Sequence, residues 1–166
     1  MKLYIKQKVF SLKDRFTVKN ANGEDCYFVE GKLVSIGQKK TLTDAAGNEL
    51  ATIRQKVLAI MPKFIVEMDG KEVAWIKKKF TFLKPKYVVE GLDWDVEGNF
   101  LAHDYTIAEH GKVIANIHKK WMAWGDTFEL DINDNADEVM ALAVILAIDS
   151  VIDSAQAAAA TVNTDN

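Results

Sequence analysis

The sequence predicts a mainly β protein: a closed antiparallel barrel of about twelve strands, internally duplicated, enclosing one C-terminal apolar α-helix. Two observations carry this expectation. A hairpin-sized unit recurs four times, and near the C-terminus ten consecutive residues carry no charged or strongly polar side chain. Length sets the frame: 166 residues, 49% hydrophobic and only two prolines, suffice for one domain with a real core.

The repeat is anchored on Lys8, Lys56, Lys79 and Lys120. An isoleucine lies three before each (Ile5, Ile53, Ile76, Ile117) and an aromatic eight after each (Phe16, Phe64, Tyr87, Phe128). The last three copies add Ala51, Ala74 and Ala115 and, further back, Gly47, Gly70 and Gly111, so the unit is G-x3-A-x-I-x2-K-x7-[FY]. Glycine flanked by Asn, Asp or His suits a tight turn needing positive φ, and alternation such as Val73, Ala74, Trp75, Ile76 suits a strand. Asp14, Pro62, Pro85 and Asp126, six after the anchors, are turn-starting types, and the aromatic opens the return strand. Each unit therefore predicts a β-hairpin.

A longer period overlies the short one. "VEGKL" (Val29 to Leu33) and "VEGNF" (Val96 to Phe100) precede the second and fourth copies, which predicts two related halves, residues 1–68 and 77–132. Segments between turn signals number about twelve, and closure is expected because it removes the exposed edges of so many hairpins.

The run Val139 to Ile148 spans about 15 Å as a helix, half of a hydrocarbon core about 30 Å thick, so no transmembrane segment is expected. An apolar cylinder needs a dry container, and a barrel well above eight strands has a lumen wide enough for one. The helix is expected over about 135–154, capped by Asp134 or Asn135, with Glu138, Asp149 and Asp153 marking its ends. One barrel-and-helix domain then covers 1–154, with a disordered tail over 155–166.

Charge is uneven along the chain. Residues 1–88 hold 18 Lys+Arg against 9 Asp+Glu, and residues 89–166 hold 3 against 15. Such asymmetry points to an anionic partner unless barrel strands from the two halves interleave and mix the signs. The single cysteine, Cys26, reads as an ordinary strand residue of a reducing compartment, and "KLYIKQKVF" after Met1 lacks the features of an export signal. A cytoplasmic protein, peripheral at a membrane where it docks, is the expectation.

The order of hairpins, the opening "IKQKVFSLKDRFTVKN", the segment "IHKKWMAWGDTFELDI" and the closing apolar helix resemble the LURP-one-related proteins over nearly all of residues 1–153. That family is similar to the tubby C-terminal domain and the phospholipid scramblases, and the resemblance implies a twelve-stranded barrel around a central helix. Tubby domains bind phosphoinositides and scramblases are membrane proteins, but the tubby phosphoinositide motif does not recur residue for residue, so the resemblance carries no binding site over.

Catalytic chemistry finds little footing. His103, His110 and His118 lack metal-ligand spacing and read as surface residues; Asp93 and Asp95 flank Trp94 as polar alternation around a buried aromatic. "DINDNADE" reads as a helix cap before a calcium loop. No catalytic residue, cofactor or metal site is expected. Lys77, Lys78 and Lys79 with Lys119 and Lys120 would make a phosphate-suited ladder if their strands pair, but solvating lysines are the preferred reading.

The hairpin tips "SLKDR", "AIMPK", "FLKPK" and "MAWGD" are more informative. They combine apolar Leu12, Met61, Leu83 and Trp124 with basic Lys13, Arg15, Lys63, Lys84 and Lys86. On one barrel end these would form a rim able to dock on anionic phospholipid. The expected function is a non-enzymatic binding or scaffolding domain, with a protein partner without lipid binding as one alternative. A small-ligand carrier or enzyme using a cleft at the barrel end is the other; nucleic acid is not an expected partner.

Overall fold

The computed structural model describes residues 1–6, 15–34, 37–56, 61–79, 86–122 and 125–162. Twelve strands follow in order: β1 (Lys2–Lys6), β2 (Arg15–Asn20), β3 (Asp25–Val34), β4 (Gly37–Asp44), β5 (Glu49–Gln55), β6 (Lys63–Met68), β7 (Lys71–Lys79), β8 (Lys86–Glu90), β9 (Trp94–Asn99), β10 (Asp104–Glu109), β11 (Lys112–Met122) and β12 (Gly125–Ile132). A 3-10 turn, Phe100–Ala102, joins β9 to β10, and helix α1 (Glu138–Val162) closes the chain. Every strand pairs antiparallel with its sequence neighbours, and β1 pairs with β12 from Lys2↔Asp131 to Lys6↔Thr127, so the barrel is closed.

The repeat explains the wall. Its four copies form the hairpins β1/β2, β5/β6, β7/β8 and β11/β12. In each, the isoleucine and the aromatic point inward: Ile5, Ile53, Ile76 and Ile117 are buried, as are Phe16, Phe64, Tyr87 and Phe128. The period of two along a strand then sends Lys79 and Lys120 outward, each three residues from its isoleucine, while Lys56 follows β5 and Lys8 lies outside the described residues. Gly47, Gly70 and Gly111 have φ of +87°, +71° and +80°, with nothing near the place of a Cβ; backbone conformation, not crowding, selects glycine there. Of the four turn residues, Pro62 precedes β6 and Asp126 is already second in β12, while Asp14 and Pro85 lie outside the described residues.

The duplication falls between β6 and β7. Val29 on β3 and Val96 on β9, from the two "VEG" segments, are both buried six strands apart. The second half begins at Lys71, the start of β7, rather than at residue 77. Because β1–β6 and β7–β12 are each contiguous, the halves do not interleave.

Helix α1 fills the lumen. Ala141 to Ile148, Val151 and Ile152 are all buried, and the helix lies closest to β5, β6 and β7. Its cap is Asp137, whose Oδ1 accepts from the Met140 amide at 2.9 Å, in place of the expected Asp134 or Asn135; Asp134 instead reaches the Met1 nitrogen at 2.5 Å. Asp137→Ala removes the acceptor for an otherwise orphaned amide and should cost about 1 kcal/mol, read from denaturant unfolding. The helix continues to Val162, past the expected end near Ser154, through an alanine-rich stretch of high helix propensity.

Candidate functional site

Strand direction defines two ends. Residues 21–24, 45–48, 69–70, 91–93, 110–111 and 133–137 lie at the end where α1 enters, and the alternate connections lie where it leaves. At the entry end the strand ends and turns carry Glu24, Asp25, Asp44, Asp69, Glu72, Asp93, Glu109, Asp134, Asp137 and Glu138, against Lys2, Lys19, Lys71 and Lys112. At the exit end β1 to β8 carry Lys6, Arg15, Lys32, Lys39, Lys63, Lys77, Lys79 and Lys86, and Lys56 follows β5. Asp104 and Asp126 interrupt this run on β10 and β12, with Lys120 between them on β11. Charge in the molecule is thus segregated along the barrel axis, which the count by sequence halves does not reveal.

The tip residues sort accordingly. Arg15, Lys63 and Lys86 open β2, β6 and β8, which all start at the exit end. The Arg15 guanidinium is 3.2 Å from Glu30, and Lys63 Nζ is 3.2 Å from Glu90, which also binds Lys77. Met61 is half-buried between β5 and β6. Leu12, Lys13, Leu83, Lys84 and Trp124, and the Lys86 side chain, lie outside the described positions. At the same end α1 emerges: Gln156, Ala157, Ala158 and Ala160 are exposed, and residues 155–162, about 12 Å of helix, carry no charge.

Inside the exit end sits a polar cluster that the sequence reading missed. Asp149 lies in the middle of α1 rather than at its end and is 1% exposed. Its Oδ2 is 3.7 Å from Nζ of Lys40, an inward-facing residue of β4 that is 2% exposed, and its Oδ1 is 3.5 Å from Nδ1 of His103. His103 follows the 3-10 turn and packs at a tilt 4.6 Å from the Phe128 ring, with its side chain 20% exposed, so it is largely buried rather than a free surface residue. At 3.7 Å the Lys40–Asp149 contact is ionic without being a hydrogen bond. Burial pushes the Asp149 carboxyl well above the usual range, with Lys40 opposing and Asp153 reinforcing the rise. Burial likewise raises Asp153, again opposed by Lys40, and lowers His103. With both charges almost fully enclosed, the pair's physical effect falls on the rotation and depth of the helix.

The outer wall holds a second network. Glu129 of β12 is 1% exposed and accepts from Lys120 at 2.7 Å and Lys2 at 3.0 Å, with His118 Nε2 at 3.0 Å. Burial opposes its ionisation, but Lys120, Lys2, Tyr4 and His118 outweigh that and hold the carboxyl at about 2. The alternative of a lysine ladder does not form, because β7 and β11 are separated by β8, β9 and β10. At the entry end the Tyr27 hydroxyl donates to Glu138 at 2.5 Å, and Cys26 lines an open depression of about 770 Å³ there. Among the described residues no three His, Cys, Asp or Glu side chains come together as a metal site, and no helix is long and apolar enough to cross a membrane.

A closed, internally duplicated antiparallel barrel threaded by its own C-terminal helix, with opposite charge at its two ends, defines the class of protein. The chain belongs to the LURP-one-related family, whose family model matches residues 1–149. It is 33% identical over 152 residues to the uncharacterized protein YxjI of Bacillus subtilis (strain 168), covering 92% of this chain and 94% of that one. A solved structure of a protein from Arabidopsis thaliana shares the fold, with a TM-score of 0.66 at 18% identity over 90% of each chain.

Proposed function

We propose that this protein is a non-enzymatic docking module whose basic end meets an anionic phospholipid surface. The observation that supports the reading is the axial segregation of charge: the end that collects lysine and arginine from β1 to β8 is also the end from which the uncharged last two turns of α1 emerge. A cationic end facing anionic headgroups, with the acidic end turned away, is the orientation such a charge distribution selects. On this reading the protein works at the cytoplasmic face of a membrane, as a peripheral rather than a spanning component.

Each lysine or arginine close to an anionic leaflet contributes on the order of 1 kcal/mol, screened within a Debye length of about 8–10 Å. Arg15 and Lys63 deliver less than that while Glu30 and Glu90 hold them. Co-sedimentation with phosphatidylserine vesicles should therefore be measurable at low salt and fall as salt rises. Changing Lys13, Arg15, Lys63, Lys84 and Lys86 together to glutamine should reduce it further. Native protein that stays in the supernatant at low salt, or a fivefold variant that binds as well as wild type, would end this reading in favour of a protein partner.

A further inference from the structure

We infer that Lys32, Lys39 and Arg54 form a recognition row for a phosphomonoester group on the outer wall of the basic end. Register places Lys32 directly opposite Lys39 and Lys39 directly opposite Arg54 on three adjacent strands. All three face outward, because Val29 on β3, Lys40 and Leu42 on β4, and Ile53 on β5 take the inward positions of the alternation. Three cations thus stand in line across the sheet at steps of about 4.8 Å, an arrangement in which directly opposed like charges are destabilising.

The outer two have counter-ions. Lys32 Nζ is 3.4 Å from Glu30, and Arg54 binds Glu67 at 2.7 Å and also Glu72. Among the described residues Lys39 has no ion-pair partner; the next outward residue of its strand, Thr41, lies between Thr52 and Glu30, and Glu30 is held by Lys32 at 3.4 Å and Arg15 at 3.2 Å. The central cation of a repelling row is therefore left for a group from outside. A doubly charged terminal phosphate, with three acceptor oxygens, can take Lys39 and draw on its two neighbours at once; a carboxylate or a phosphodiester offers less charge to the same row.

The row lies at the end proposed to face the membrane, and in that form the inference rests on the docking reading: the basic end supplies general attraction and the row supplies headgroup choice. A soluble phosphate ester would present the same chemistry, so the test has three arms. Wild type and Lys39→Gln are compared for co-sedimentation with phosphatidic acid vesicles and with phosphatidylserine vesicles of matched surface charge. The thermal midpoint of each is also followed with inorganic phosphate against sodium chloride at equal ionic strength.

Wild type should bind phosphatidic acid several-fold better than phosphatidylserine and gain midpoint in phosphate. Lys39→Gln should lose both effects, keep its phosphatidylserine binding, and melt no lower than wild type without phosphate, because the substitution relieves repulsion. A phosphate-dependent midpoint that Lys39→Gln abolishes, with no vesicle binding by either protein, supports the row with a soluble ligand and removes the docking reading alone. Retained phosphatidylserine binding with no phosphatidic acid preference and no phosphate effect overturns the row and leaves docking intact. A lower midpoint for Lys39→Gln in chloride, or a phosphate response equal to wild type, also overturns it.

Discussion

Leu142→Asp should cost about 5 kcal/mol or more and leave the protein aggregating or unfolded at room temperature, the largest effect expected of any single change in the helix. Leu142 is fully buried in the second turn of α1, with Ala141, Ala143, Leu146 and the inward faces of the wall around it. An aspartate there either ionises without a partner or takes a proton, and both outcomes carry the cost of burying a polar group without hydrogen bonds, added to the loss of the leucine's packing. Leu142→Ala separates the two contributions, because it removes packing without adding a polar group and should cost about 3 kcal/mol. Denaturant unfolding of both variants checks the pair. An aspartate variant no worse than the alanine variant would mean that this face of the helix reaches solvent, and the enclosed-helix architecture would fail with it.

The barrel was legible because the repeat encodes it twice over. The isoleucine and aromatic offsets are inward positions of paired strands, and the glycine offset is a positive-φ turn, so both signals survive in the sequence as fixed spacings. The helix was legible for the same kind of reason: apolarity on all sides has one economical explanation when a wide barrel precedes it. Asp149 was misplaced because spacing alone cannot distinguish a polar residue ending an apolar run from one inside a longer buried helix. What decides is Lys40, more than one hundred residues earlier, and nothing local marks it as the inward member of the Lys39–Lys40 pair.

The same limit hid the charge pattern. Counting by halves of the chain asks about position along the sequence, whereas an up-and-down barrel sorts residues by their place within each hairpin. Lys32 and Lys39 look like two isolated surface lysines until register sets them opposite each other and beside Arg54. The tips stand out in the sequence because apolar and basic residues recur together there, while the sharing of one end follows only from strand direction. Arg15 and Lys63 do stand at strand starts of one end, but their pairing with Glu30 and Glu90 depends on cross-strand neighbours that spacing does not specify.

Lys40→Met should be the most damaging change in the wall, by about 3–5 kcal/mol once pH exceeds the wild-type folded value of Asp149, because it strands that carboxylate in the lumen without its cation. The groups facing that carboxyl are Lys40 from β4, His103 after the 3-10 turn, Tyr105 from β10, and Asp153 on the helix itself. Lys40 is the member that pulls the Asp149 carboxyl down, so its loss moves a value already raised by burial higher still. A carboxyl whose folded value lies above its unfolded value of about 3.9 binds its proton more tightly when folded. Its contribution is complete below the unfolded value and is lost as pH rises through the folded one. The penalty of Lys40→Met relative to wild type should accordingly be small near pH 3, where Asp149 is protonated in every state. It should grow as pH rises past the wild-type folded value and level off above the variant's higher one. Replacing both partners, Lys40→Met with Asp149→Leu, exchanges the pair for apolar contacts and should recover most of the loss, since buried ion pairs gain little over well-packed hydrophobes. Denaturant unfolding of the three variants and wild type between pH 3 and 8 reads all of this. A single Lys40 variant as stable as wild type across the whole range, or a double variant no better than the single, would show that the Lys40–Asp149 contact does not hold the helix in place.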